Sequence, residues 1–106
     1  MSLRVTATET LNLLAQSLVV RRRYASAEDA LRDIALAAVR DKVAYYQRRI
    51  RALERRHKTD FDAFTLRLEG CATPTEEDDW LAWRSARRMK ADWEQVYQDL
   101  RDERAC

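Results

Sequence analysis

One glycine and one proline stand in 106 residues, Gly70 and Pro74, four positions apart. A chain so poor in turn-forming residues has few places to reverse direction, which argues against a many-stranded sheet and for a few long helices. The rest of the composition agrees. Charged residues make up 36% and apolar residues 46%, with Ala, Leu, Arg and Glu prominent. The length suits one small domain with a modest core, the kind of chain that often gains stability by oligomerising.

Helix starts can be located from capping boxes, in which a Ser or Thr hydroxyl takes an orphan backbone N–H and an acid three residues later reaches back. Four such boxes occur: Thr6 with Glu9, Ser26 with Asp29, Thr59 with Asp62, and Thr73 with Glu76. Each leads into apolar residues at helical spacing. In the last box Pro74 takes the first helical position, where its missing N–H costs nothing. The spacing therefore predicts a mainly α protein of four helices, over about 8–22, 27–57, 60–69 and 74–103. Gly70 is placed where a left-handed residue ends the third helix.

The four consecutive acids Glu76, Glu77, Asp78 and Asp79 then read as the first turn of the last helix, beside the positive end of its dipole. Carboxylates at i and i+3 share a face, but two-metal sites usually draw acids from several elements, so no metal is expected. The single histidine, His57, has no His or Cys neighbours at ligand spacing and cannot anchor zinc. Its place at a helix C-terminus favours the protonated ring. No Ser or Cys has a nucleophile-elbow context and one glycine cannot build a phosphate loop. No catalytic residue, no cofactor and no enzyme activity is expected.

Two heptad-like seams organise the C-terminal part. One runs Val39, Val43, Tyr46, Ile50, Leu53, His57; the other Ala82, Ala86, Met89, Trp93, Val96, Leu100. Such seams pack on a partner helix at a shallow angle. A short third helix lets the last helix fold back antiparallel along the second, capped by Phe61 and Phe64; the seams could instead pack across a dimer. Charge supports the fold-back. Residues 40–58 hold eight basic groups and two acids, and residues 60–79 hold seven acids and one basic group. The chain is thus read as one domain, with 1–38 for dimerisation and DNA contact and 39–106 as a partner-binding hairpin.

The net charge of +2 says little about partners. No apolar run reaches membrane-spanning length, and the first apolar cluster contains Thr, Glu, Asn and Gln, unlike a signal peptide. A cytoplasmic protein with reduced thiols is expected, Cys71 being buried or half-buried and Cys106 an exposed thiol. The run Arg21, Arg22, Arg23 and the block Arg48 to Lys58 are solvated faces or nucleic-acid contacts. Trp80, Trp83, Trp93 and Tyr97 either fill the hairpin core or form a docking surface, since aromatics dominate interface hot spots.

The stretch 3–39 resembles the ribbon-helix-helix antitoxins and repressors. Leu3, Val5 and Ala7 alternate with Arg4, Thr6 and Thr8, and 22-RRYASAEDALRDIA-35 looks like the turn and second helix of that fold. The resemblance implies a short strand over 3–8 that pairs between two chains. Arg4, Thr6 and Thr8 would face the DNA major groove, with Arg21, Arg22 and Arg23 beside it and the N–H groups near Ser26 on a phosphate. If residues 3–8 instead begin a helix, a homodimer would form through the first two helices.

A second resemblance covers about 39–100. The pattern Tyr45-Tyr46, Ile50, Leu53-Glu54, Phe61-Asp62-x-Phe64, then Glu77-Asp78-Asp79-Trp80-x-x-Trp83 is similar to a group of small helical prokaryotic proteins encoded beside toxins and regarded as antitoxins. Where that group usually reads Phe-Glu-x-Lys-Tyr-Gly, this chain has Leu53, Glu54 and His57. The resemblance implies a non-catalytic antitoxin that binds and neutralises a cognate toxin protein; operator DNA would be a second partner through the N-terminal stretch, and no membrane partner is expected. A DNA-binding regulator without a toxin, or a purely structural helical adaptor, is the alternative.

Overall fold

The computed structural model describes residues 6–20 and 25–102, which form four helices: α1 Ala7–Val20, α2 Ala27–His57, α3 Phe61–Leu68 and α4 Pro74–Asp102. No strand occurs among the described residues. Residues 3–5 of the expected ribbon lie outside them, while Ala7 and Thr8 are helical. The correction has a local cause. The Thr6 N–H donates to Glu9 Oε2 at 3.2 Å, and the Glu9 N–H donates to Thr6 Oγ1 at 3.1 Å. That reciprocal cap satisfies two orphan donors, and a short alternation of small residues offers nothing comparable.

The other helix starts follow the same chemistry with differences in detail. The Asp29 N–H donates to Ser26 Oγ at 3.1 Å, but the Asp29 carboxylate turns to Arg32 at 3.5 Å. At α3 the cap is Asp60, whose carboxylate accepts from the Ala63 N–H at 2.8 Å. The expected Thr59 box is therefore displaced by one residue. Aspartate is as good a cap as threonine or better, and Thr59 is needed elsewhere. Its N–H donates to the Glu54 carbonyl at 3.3 Å, the long bond of a Schellman turn closing α2.

That turn places Lys58 at φ +55°, a left-handed conformation that costs a residue with a Cβ about 1–2 kcal/mol. Gly70, at φ +74°, fills the equivalent place after α3 and meets no cost there. Lys58→Gly is accordingly expected to stabilise the protein by about 1 kcal/mol, read as a higher urea midpoint at unchanged slope.

The chain divides into two compact units, residues 1–38 and 39–106, with α2 contributing to both. The first unit buries Ala15, Ala30 and Leu36, and leaves Leu11, Leu13 and Leu14 of α1 exposed. The second unit is the helical hairpin. Arg40 meets Tyr97 and His57 meets Asp79, so α4 runs antiparallel along the second half of α2, in register from the open end to the loop. Phe64 and Trp83 are its largest fully buried side chains, with Val39 and Ala86 also buried. Residues Val43, Tyr46, Ile50, Leu53 and His57 of the α2 seam are half-buried. Of the α4 seam, Ala86 is buried and Ala82, Met89, Trp93 and Leu100 are half-buried, while Val96 is exposed; Trp83 and Tyr97, each one position on from a seam residue, are buried and half-buried. A straight helix drifts from a strict heptad, and the large indole of Trp83 has more area to bury than Val96.

Candidate functional site

The closed end of the hairpin concentrates the aromatic and charged side chains. His57 ends α2, Phe61 and Phe64 lie on α3, and Trp80 and Trp83 lie on α4 three residues apart. The rings nest around Trp83. Its centroid is 5.4 Å from Phe64, 5.6 Å from Phe61 in an edge contact and 6.2 Å from His57, stacked. The His57 ring lies 4.2 Å from Phe64, and Phe61 stacks on Trp80 at 5.9 Å. These are the separations at which aromatic pairs attract beyond their area. From outside, Arg87 covers Phe61, Arg84 covers Trp80 and Arg67 covers Phe64, each at a cation–π distance.

The four acids divide by role. Glu76 completes the α4 cap: the Thr73 N–H donates to Glu76 Oε1 at 3.1 Å and the Glu76 N–H to Thr73 Oγ1 at 3.2 Å. The Thr73 N–H first, then its hydroxyl, hold the Glu76 carboxyl below its ordinary value of 4.5. A lowered carboxyl contributes stability above its ordinary value and loses it as pH falls through the lowered one. Thr73→Ala should therefore cost about 1 kcal/mol near neutral pH and narrow its deficit in acid, a difference that denaturation at two pH values would detect.

Asp79 is engaged in tertiary structure. Its Oδ2 is 2.7 Å from His57 Nε2 and 3.3 Å from Arg56 Nη1, and its side chain is 14% exposed. The basic end of α2 and the acidic start of α4 thus meet through this one carboxylate. Glu77 and Asp78 are exposed and have no ion-pair partner among the described residues. No group of three or more His, Cys, Asp or Glu side chains with metal-binding geometry occurs among the described residues.

The four aromatics singled out from the sequence take different positions. Trp83 is 1% exposed, and its contacts are within the hairpin. Trp80 is half-buried and fixed. Its Nε1–H donates to Thr65 Oγ1 at 2.9 Å, and that hydroxyl donates to the Phe61 carbonyl at 2.8 Å. Trp93 is half-buried, and its Nε1 is buried without a hydrogen-bond partner, a rare condition for a native polar atom. The Tyr97 hydroxyl accepts from both Arg40 Nη2 at 3.0 Å and Nε at 3.3 Å. That guanidinium holds the Tyr97 hydroxyl below its ordinary value of 10.0.

Among the residues assigned to DNA, Thr6 is committed to the α1 cap and Thr8 is exposed in its first turn. Arg4, Arg21, Arg22 and Arg23 lie outside the described residues, as does Cys106. Cys71 is exposed, contrary to expectation, because it lies in the loop between α3 and α4 rather than on a packed helix. No described helix is long and apolar enough to cross a membrane.

Sequence reasoning did not anticipate a shallow groove of about 430 Å³ between α3 and α4. It is lined by Thr65, Leu68, Glu69, Ala72, Glu77, Trp80 and Leu81. The only advance signal was the i, i+3, i+4 spacing of Glu77, Trp80 and Leu81, which places them on one face. A second groove, lined by Arg40, Val43, Gln47, Lys90, Glu94 and Tyr97 among others, runs between α2 and α4. Compared with known proteins, the chain matches no family model, no curated protein and no solved structure.

Proposed function

We propose that this chain is a non-catalytic binding protein, an antitoxin that holds and neutralises a cognate toxin protein. The observation that supports this reading is the contrast at the hairpin end between locked aromatics and open leucines. Trp83 and Phe64 are sealed inside and Trp80 is pinned by Thr65, yet Leu66 is 67% and Leu81 51% exposed. A rigid platform with apolar side chains left outside suits docking to another protein. Glu76 serves the α4 cap and Asp79 with His57 the hairpin lock, so a binding role uses these residues as they stand.

A second copy and operator DNA complete the reading. The exposed Leu11, Leu13 and Leu14 of α1 suit a homodimer, and Arg4 and Arg21 to Arg23 would supply salt-dependent DNA contacts. The test is co-expression with the product of the adjacent gene. Rescue of growth together with a co-purifying complex is the expected result. A neighbour that is not toxic, or a toxic one that neither binds nor is relieved, overturns the reading. DNA binding or a bare dimer would then remain.

A further inference from the structure

We propose that the groove between α3 and α4 is the docking site for a basic amphipathic helix of the partner protein; this rests on the antitoxin reading above and gives it a place and a chemistry. The groove's volume falls within the range of small binding sites, about 300–1,000 Å³, and its walls are mainly apolar. Leu68 and Ala72 stand on one side, with Trp80 and Leu81 on the α4 side. Trp80 is an anchor that needs no ordering on binding. Its indole N–H is already satisfied by Thr65, and its ring is held by Phe61 and Arg84. A preorganised wall lowers the entropy cost of association.

Charge selects the occupant. Glu69 and Glu77 are the only ionisable groups lining the groove, and neither has an ion-pair partner among the described residues. Two neighbouring acids at the start of α4, Glu76 and Asp79, are turned to Thr73 and to His57 with Arg56. Arg84 and Arg67 rest on the rings of Trp80 and Phe64 and are not among the residues that line the groove. An apolar trough flanked by two unneutralised carboxylates favours a segment with an apolar stripe at i, i+3, i+4, i+7 and Lys or Arg beside it. An acidic or neutral segment would leave both carboxylates unpaired at the contact.

The test uses the full chain and two synthetic amphipathic peptides of about four turns each, identical in their leucine stripe, one flanked by Lys and one by Glu. Binding is followed by titration calorimetry and by amide shifts at Leu81 and Trp80. The Lys peptide should bind about tenfold more tightly than the Glu peptide, and more weakly as salt rises. Leu81→Glu, at an exposed position, should abolish binding with the helical circular dichroism unchanged. The double variant Glu69→Lys with Glu77→Lys should reverse the preference between peptides. Equal affinity for the two peptides, indifference to Leu81→Glu, or no saturable binding up to the millimolar range would each overturn the proposal. The two readings fail separately. A toxin complex that forms as well with Leu81→Glu sinks the groove and leaves the antitoxin, whereas a harmless neighbour sinks the antitoxin whatever the peptides do.

Discussion

Trp83→Ala should unfold the hairpin at moderate urea or heat, with a loss of about 3–5 kcal/mol. The ring is 1% exposed and touches Phe61, Phe64 and His57, so its removal leaves a cavity bounded by three elements. Collapse of that cavity would require α3 to move against both long helices. Small domains are stable by about 5–15 kcal/mol, and a core this size places the chain toward the lower end. The measurement is urea denaturation followed by far-ultraviolet circular dichroism. Trp80→Ala is the control. That residue is half-buried, and its loss removes one hydrogen bond and part of a groove wall, so it should cost clearly less than Trp83→Ala. Equal costs for the two would mean that the hairpin is not organised around Trp83.

The second large effect concerns Asp79. Asp79→Ala should cost about 1.5–3 kcal/mol, the range for a hydrogen bond to a charged group, because it removes the shared acceptor of His57 and Arg56 and leaves the His57 Nε2 half-buried without it. Asp78→Ala should stay within about 0.5 kcal/mol, as an exposed change away from any partner. The two substitutions share the same gain in helix propensity and nearly the same place in the helix dipole. Their difference therefore isolates the tertiary lock. If both variants were equally stable, the Asp79 contacts would be no more than an exposed ion pair.

Helix starts were largely legible in the sequence because their chemistry is complete within four residues. The Thr6–Glu9 and Thr73–Glu76 boxes form as reciprocal hydrogen bonds, and Pro74 and Gly70 sit where local backbone rules place them. Where two capping residues are adjacent, as at Thr59 and Asp60, the sequence pattern alone did not choose. The decision came from the Schellman turn that engages the Thr59 N–H. The strand expected near the N-terminus gave way at Ala7 and Thr8 for the same kind of local reason, a cap that a lone strand cannot match.

The sequence by itself determined the four helices and most of their starts, with the expected ends at 22 and 103 lying outside the described residues, and it placed the basic block before the acidic one. It singled out Glu76 as the cap partner of Thr73 but could not separate Glu77, Asp78 and Asp79 or sort the tryptophans. Adjacent helical residues point about a quarter-turn apart, so which one is buried depends on the rotation of α4 about its own axis. That rotation is set by fitting the Trp83 indole among Phe61, Phe64 and His57, contacts between residues far apart in the chain. Only the packed hairpin made Asp79 the lock and left Glu77, with Glu69, facing an open apolar groove.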